Sequence, residues 1–280
     1  MTLPLPLRIL GPLSRVTPGA AGELAGYLFT KPRRYTASAW EEIASKNAIE
    51  ERLRDGTRLF HFGDCGPRVV AIHGWEGRAT QLAPLARSLA QAGMRVTTVD
   101  GPAHGASPGK VAHPVAFALT LARVAHHFGD VEAIVGHSMG GGAALIAVRE
   151  EGVSARAVVI IAGSLNFTKG ARRFARFVAL SPLGEEAFVA SLERRVGRQA
   201  MSMDAISEPT LIFHDPQDRE VPFTDAQEVA ARLPHAKLVP MPGAGHRAIL
   251  RAPELLDRAT RFLHDALVVK KEAPEGNSSK

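Results

Sequence analysis

The sequence has very little cysteine and no long apolar run. Cys65 is the only cysteine among 280 residues, which excludes an internal disulfide and fits a reducing compartment. No apolar stretch reaches the roughly 18 residues that a membrane-spanning helix needs, so none is predicted. Three prolines stand before residue 13, which makes the start of the chain a poor signal peptide. We therefore expect a soluble, cytoplasmic protein.

Clustered positive charge and metal-ligand spacing are also missing. The formal net charge is +6, but the arginines are spread along the whole chain, whereas nucleic-acid-binding proteins gather basic residues on one face. No zinc-finger spacing, aromatic RNA-binding signature or recognition-helix pattern is present, so nucleic-acid binding is not expected. H-E-x-x-H and similar spacings are absent as well, so neither a metal nor a cofactor is expected.

What the sequence does contain is a regular alternation of short apolar segments and helix-length segments. Residues 52–62 hold an Asp-Gly pair between alternating residues, which indicates a hairpin. Strands are predicted at 68–74, 94–100, 131–135, 157–163, 210–215 and 236–241. Helices are predicted at 80–92, 113–128, 139–150 and 253–266. This alternation indicates an α/β protein with a mostly parallel central sheet and helices on both faces.

Two segments without strand patterns divide the chain further. Short helices are predicted at 19–30, 38–47, 171–180 and 185–196. The predicted division is a helical appendage (1–50), a core (51–163 and 209–268), a helical insertion (164–208) and a polar, disordered tail (269–280). The apolar helix of the appendage is compatible with packing on the sheet, with binding a partner and with completing a homodimer.

The stretch VEAIVGHSMGGG, residues 131–142, ends an apolar run with glycines around one serine. Its residues 136–140 match G-x-S-x-G, in which a strained strand-to-helix turn lifts the serine hydroxyl above the sheet. A dinucleotide fingerprint would need glycine in place of Ser138, and HGASPGKV at 104–111 does not fit a phosphate loop. The pattern therefore predicts a nucleophile, with a structural serine among close-packed glycines as the alternative.

Candidate partners for Ser138 follow two later strands. A serine nucleophile needs a base, and the base needs an orienting acid. The loop after the strand TLIF offers Asp215 and Asp218, and the loop after AKLVPM offers His246. Because open α/β sheets build their sites at the carboxyl ends of strands, we expect these loops to meet Ser138. The residues alone leave the choice between the two acids open.

Five segments in this order resemble the α/β-hydrolase superfamily over roughly residues 50–266. They are HGWEGR (73–78), DGPAHGAS (100–107), GHSMGG (136–141), HDPQDREVP (214–222) and GAGHR (243–247). The chain is similar to the serine esterase branch, which carries a short helical cap after the sixth strand. The resemblance implies the α/β-hydrolase fold, with residues 164–208 as the cap.

The resemblance also implies catalytic roles. Ser138 corresponds to the nucleophile, and His246 to the general base that later acts as general acid. Asp218 corresponds to the acid that orients His246. Asp215 stands where the family usually has glycine, so it remains the alternative acid. Three histidines inside the motifs are expected to be structural: His73, His104 and His137.

Oxyanion and substrate contacts are implied in the same way. The backbone N–H of Met139 and that of Trp75, in the His-Gly loop, correspond to the oxyanion donors. Trp75 is also a candidate for the floor of the pocket. In the cap, Phe174, Phe177 and Phe188 indicate either an acyl-binding surface or packing between cap helices. The cap is strongly basic, which indicates a solvated face or an attraction for anionic substrates.

The expected function is hydrolysis of a small-molecule carboxylic ester through an acyl-enzyme formed on Ser138. The same triad serves thioesterases, lactonases and carbon–carbon bond hydrolases, which remain alternatives because the fold does not determine the function. Some members of the superfamily bind ligands or signal with slow turnover, and that alternative also stays open. An aspartate nucleophile would indicate a dehalogenase or an epoxide hydrolase, and Ser138 argues against both.

Overall fold

An eight-stranded sheet forms the centre of the protein, seen in a computed structural model that describes residues 5–163, 166–197 and 206–269. Its strands are β1 (Ile49–Arg52), β2 (Arg58–Phe62), β3 (Arg68–Ile72), β4 (Arg95–Val99), β5 (Val131–His137), β6 (Ala157–Ile161), β7 (Thr210–His214) and β8 (Ala236–Pro240). Their order across the sheet is β1-β2-β4-β3-β5-β6-β7-β8, and β2 runs antiparallel to both of its neighbours, β1 and β4, while the remaining pairs are parallel. The predicted mostly parallel α/β sheet is confirmed.

Helices connect the strands and extend beyond the sheet. They are α1 (Leu5–Arg8), α2 (Leu10–Val16), α3 (Pro18–Phe29), α4 (Ala39–Ser45), α5 (Ala83–Gln91), α6 (Pro114–Phe128), α7 (Met139–Arg149), α8 (Phe167–Phe177), α9 (Pro182–Val196), α10 (Phe223–Arg232) and α11 (Pro253–His264). Proline occupies the first or second position of α3, α5, α6, α9 and α11, where its missing N–H would have no helical partner anyway. Within the described residues, no helix is long and apolar enough to cross a membrane.

The two faces of the sheet are buried under different helices. Alternate residues of a strand point to opposite faces. In β3, Val70 and Ile72 belong to the apolar core beneath α6 and α7, while Val69 and Ala71 belong to the core beneath α5 and α11. This double burial explains why the strand sequences are continuously apolar rather than alternating.

The insertion after β6 contains α8 and α9, and both begin earlier than predicted. The side chain of Asn166 accepts a hydrogen bond from the Lys169 N–H (2.9 Å), so α8 begins at Phe167 rather than at residue 171. Ser181 caps α9 in the same way by accepting the Gly184 N–H, so α9 begins at Pro182, three residues before the predicted start. The local capping residues therefore decide the boundaries. The predicted tail from residue 270 onwards lies outside the described residues.

The apolar N-terminal helix α3 packs on the insertion, an arrangement that the sequence analysis did not include. A Cβ atom at Gly22 would lie 2.6 Å from the Cβ of Ala187, and one at Gly26 would lie 2.5 Å from the Oγ of Ser191. The two helices approach so closely only because α3 has glycine at both contacts. The N-terminal helices and the insertion thus share one apolar cluster, and we call α2, α3, α8 and α9 together the cap.

Candidate active site

The turn between β5 and α7 holds Ser138 in a strained conformation. Its φ is +51° and its ψ is −120°, outside the regions that residues with a Cβ favour. A Cβ at Gly136 would lie 2.2 Å from the carbonyl oxygen of Gly140, and a Cβ at Gly140 would lie 2.5 Å from that of His73. The Ser138 N–H donates to the carbonyl of Ile161 (2.9 Å). The glycines and this hydrogen bond together maintain the strained turn.

Three side chains from three loops form a hydrogen-bonded row. His246 Nε2 lies 3.0 Å from Ser138 Oγ, and His246 Nδ1 lies 2.7 Å from Asp218 Oδ2. The carboxylate of Asp218 can only accept, so Nδ1 carries the proton and Nε2 is free to take the serine proton. The row can therefore act as nucleophile, general base and orienting acid.

Asp218 is ionised although its side chain is completely buried. Its Oδ1 accepts hydrogen bonds from the backbone N–H groups of Glu220 (2.7 Å) and Val221 (3.0 Å). Burial raises the pKa of Asp218, but the hydrogen bond with His246 and the backbone hydrogen bonds outweigh it, so its pKa lies below the ordinary value. The negative charge is thus available to stabilise a protonated His246.

The other candidate acid, Asp215, does not contact His246. Its Oδ1 accepts from the N–H of Gln217 (2.8 Å) and from that of Gly243 (3.2 Å), and its Oδ2 accepts from the N–H of Gly245 (2.6 Å). Asp215 therefore ties the loop that carries Asp218 to the loop that carries His246. Of the two acids that the sequence offered, the structure brings Asp218 to the histidine.

Two backbone N–H groups beside Ser138 are free to bind an oxyanion. In the part of the chain that the structure describes, neither the Met139 N–H nor the Trp75 N–H has an acceptor. Met139 directly follows the serine. A Cβ at Gly74 would lie 2.6 Å from the Cβ of Ser138, so the loop after β3 closes tightly against the nucleophile. This arrangement can stabilise negative charge on a carbonyl oxygen bound to Ser138.

The loop that carries Trp75 is supported by a neutral histidine. Glu76 has a φ of +53°, and its N–H donates to His104 Nε2 (2.9 Å). His104 Nδ1 in turn donates to the carbonyl of Pro102 (2.8 Å). Burial lowers the pKa of His104 to about 4, so the ring stays neutral and keeps Nε2 as an acceptor at neutral pH.

Two further buried histidines support the site from below. His73 Nε2 accepts from the Gly101 N–H (2.9 Å), and its Nδ1 donates to the carbonyl of Gly74 (2.7 Å). His137 Nε2 donates to the backbone carbonyl of His246 (2.9 Å). Burial lowers the pKa of His73 well below its ordinary value and that of His137 to about 3. The structural role expected for these residues consists of holding two loops in place. These are the loop after β3 that carries Trp75, called the oxyanion loop below, and the loop after β8 that carries His246.

A segment that the sequence analysis did not connect with the site crosses the oxyanion loop. This strap, residues 31–38, runs between α3 and α4. Arg33 makes three hydrogen bonds of 3.0–3.1 Å to the carboxylate of Glu76. Arg34 donates to four backbone carbonyls, those of His104, Gly105, Ser107 and Gly109. No local pattern could reveal these contacts, because they join residues that are 43 to 75 positions apart.

The predicted substrate contacts in the cap need correction. Phe188 is completely buried among apolar cap residues and offers no surface to a ligand. Phe177 is 65% exposed and lies outside that cluster. Phe174 is only partly buried, and its ring centroid lies 5.0 Å from that of Phe29. Trp75 is also partly buried and packs against the core. Among the predicted contacts, Phe174 and Trp75 keep surface available for a substrate.

The positive charge of the cap is largely neutralised. Five of its cations form ion pairs, namely Lys169 with Glu228, Arg172 with Glu185, Arg173 with Asp225, and both Arg194 and Arg195 with Glu23. The acids come from α3, α9 and α10. These pairs favour the predicted solvated face over an attraction for anionic substrates.

Metal binding is the other chemistry that acids and histidines can support. In residues 5–163, 166–197 and 206–269, no three His, Cys, Asp or Glu side chains lie close enough to hold an ion. The acids and histidines of the site instead form hydrogen bonds with one another and with backbone groups.

The chain is similar to known proteins in sequence and in fold. A profile of the Alpha/beta hydrolase family matches residues 69–206. The chain is 28% identical over 247 residues to a pimeloyl-[acyl-carrier protein] methyl ester esterase from Xanthomonas campestris pv. campestris, covering 71% of this chain and 95% of the relative. These matches support the assignment of the chain to the α/β-hydrolase superfamily.

Solved structures agree with the fold. A thermophilic esterase from Thermogutta terrifontis superposes with a TM-score of 0.58 at 19% identity, covering 79% of this chain and 99% of that one. An esterase from Pyrococcus furiosus superposes with a TM-score of 0.61 at 20% identity, covering 84% and 99%. At these identities the likeness establishes the α/β-hydrolase fold.

Proposed function

We propose that the protein is a serine hydrolase of carboxylic esters. The observation that carries the proposal is the row Ser138–His246–Asp218, with its hydrogen bonds of 3.0 Å and 2.7 Å. The two free N–H groups of Trp75 and Met139 supply the second requirement of acyl transfer. The esterase named among the sequence relatives supports the same reaction class.

Acylation begins when Ser138 Oγ attacks the ester carbonyl carbon. His246 Nε2 takes the serine proton, and Asp218 stabilises the resulting imidazolium. The carbonyl oxygen becomes an oxyanion and accepts hydrogen bonds from the backbone of Trp75 and Met139. When the carbon–oxygen bond to the alcohol breaks, His246 Nε2 returns the proton to the leaving oxygen, and an acyl-enzyme remains.

Deacylation repeats these steps with water. His246 Nε2 takes a proton from a water molecule, whose oxygen attacks the acyl carbon. The same two N–H groups stabilise the second oxyanion. Breaking the bond to Ser138 Oγ releases the carboxylic acid, and His246 returns the proton to the serine. The ester and one water molecule are consumed, and the side chains of Ser138 and His246 return to their starting protonation states.

The proposal extends to the cellular compartment and to the class of substrate. The single, exposed Cys65 supports a reducing compartment, and we propose the cytoplasm. The dispersed positive charge and the paired cap cations support a small-molecule ester as substrate rather than a nucleic acid.

Initial rates on p-nitrophenyl esters of two to sixteen carbons test the proposal, for the natural protein and Ser138→Ala in parallel. We expect Ser138→Ala to lower turnover by a factor on the order of 10⁴ or more while the fold stays intact. Ser88→Ala is the matched control, because that hydroxyl bonds Thr260 on α11, away from the site.

Turnover that Ser138→Ala largely retains would contradict the nucleophile assignment. Absence of turnover at every chain length would contradict ester hydrolysis and favour the ligand-binding alternative. A fluorophosphonate that labels the natural protein but not Ser138→Ala would then show that the serine is nonetheless activated.

A further inference from the structure

The loops on the two sides of Ser138 face different parts of an ester. In the sheet, β5 lies between β3 and β6, so the Trp75 loop after β3 flanks Ser138 on one side. The His246 loop follows β8, on the opposite side beyond β6 and β7. The leaving alcohol must lie beside His246, which protonates it. The acyl group therefore extends in the other direction, towards Trp75.

On that side, Trp75 meets an aromatic residue from the N-terminal segment. The ring of Phe29, the last residue of α3, is nearly parallel to that of Trp75, with centroids 6.5 Å apart. The same ring contacts Phe174 at 5.0 Å and Phe167 at 5.6 Å. All four residues are only partly buried, so each keeps some accessible surface. Phe29 thus connects the oxyanion loop with the cap helices.

The position of Phe29 is held from both ends. Before it, α3 packs on α9 through the close contacts of Gly22 and Gly26. After it, the strap is bound to the oxyanion loop through the hydrogen bonds between Arg33 and Glu76. Because the backbone is fixed on both sides of Phe29, its side chain can act as a rigid wall rather than as an adaptable surface.

The surroundings of Phe29 are apolar. The cap cluster around it consists of alanine, leucine, valine and phenylalanine side chains. A charged group on the acyl chain would lose its hydration there without gaining a partner, which is strongly unfavourable. An aliphatic chain would instead gain free energy from burial against the aromatic rings.

We propose that Phe29 is a specificity-determining residue that ends the acyl-binding site, which makes esters of apolar carboxylic acids the preferred substrates. This inference rests on the proposed ester hydrolysis. It assigns the N-terminal segment, which precedes the sheet, a direct part in substrate selection.

Rates on p-nitrophenyl esters of two to sixteen carbons test it, measured as kcat/KM for the natural protein, Phe29→Ala and Phe29→Trp. Phe29→Ala should move the optimum to longer chains and lower kcat/KM for the original optimum about tenfold, since contacts with the chain are lost. Phe29→Trp should move the optimum to shorter chains. In both variants the acetate ester should be the substrate whose rate changes least.

Tyr27→Ala is the matched control, because Tyr27 lies on the same helix but is 41% exposed. It should leave the chain-length profile unchanged. A uniform loss at all chain lengths in Phe29→Ala, or a profile like that of the natural protein, would overturn the inference. Failure of the proposed function is distinguishable: the natural protein itself would then show no Ser138-dependent turnover of any ester, including the acetate.

Discussion

Arg33 binds the carboxylate of Glu76 by donating its backbone N–H and Nε–H to one oxygen and an Nη2–H to the other. Glu76 directly follows the candidate oxyanion residue Trp75 and has a φ of +53°. A conformation of this kind persists only when surrounding contacts enforce it. The strap therefore does more than connect two helices, because it stabilises the backbone next to the proposed oxyanion donor, the Trp75 N–H.

Removing this contact should slow the chemical step. We expect Arg33→Ala to lower kcat about tenfold with little change in KM. Removing an oxyanion donor altogether lowers kcat by about 10²–10³, and a donor that is only less well positioned should lower it less. The affinity of a boronic acid, which resembles the tetrahedral intermediate, should fall in parallel. Arg194→Gln is the control, since it breaks another ion pair of the N-terminal segment, far from the oxyanion loop. Equal effects of the two variants would contradict a role for Arg33 in the site.

The two acids of the β7 loop should separate into different phenotypes. Asp218→Asn should lower kcat by a factor on the order of 10⁴, since an amide favours the wrong tautomer of His246. Asp215→Asn should affect turnover far less and reduce stability instead, because Asp215 holds backbone N–H groups of two loops. Steady-state kinetics and urea unfolding of both variants test this assignment. The reverse ranking in kcat would show that the acid has been misassigned.

The close packing between α3 and α9 can be tested by comparing two glycines of α3, one that contacts α9 and one that does not. Gly22→Ala should lower the free energy of unfolding by about 1–3 kcal/mol, because the new methyl group would overlap Ala187. At Gly19 a Cβ would meet nothing within 4 Å, so Gly19→Ala should raise stability by less than about 1 kcal/mol. Urea titrations of both variants measure the difference. Equal stability of the two would mean that the helices do not pack as observed.

Buried neutral histidines should make stability fall in mild acid. Burial lowers the pKa of His104 and His113 to about 4, and the unfolded chain binds these protons near pH 6.5. Between those values only the unfolded state is protonated, so stability should fall as the pH falls. The slope should be about 1.4 kcal/mol per pH unit for each of these two histidines, and their contribution to it should vanish below about pH 4.

A single substitution isolates one of these contributions. His113 caps α6 by accepting the Ala116 N–H (3.2 Å), and asparagine can keep that hydrogen bond without titrating. His113→Asn should therefore reduce the slope by about 1.4 kcal/mol per pH unit. His126→Gln, exposed on the same helix, is the control and should leave it unchanged. Urea unfolding across this pH range provides the measurement, and an unaltered slope in His113→Asn would refute the explanation.

The sequence by itself determined the architecture and the origin of the main site residues. Continuous apolar strands alternate with helices, which is sufficient for a parallel sheet, because backbone pairing and burial on both faces depend on local patterns. Ser138 and His246 follow predicted strands, and the carboxyl ends of parallel strands lie along one edge. The structure brings the two side chains within 3.0 Å of each other there.

Only the tertiary structure decided which of Asp215 and Asp218 meets His246, since both stand in one loop. The side chain of Asp218 points to His246, whereas that of Asp215 points to backbone N–H groups. It also placed Phe29 and Arg33 beside the oxyanion loop and turned α3 towards α9 instead of the sheet. These contacts join residues far apart in the chain, and side-chain packing selects them. A local sequence pattern carries no information about a partner that folding brings near from a distant segment.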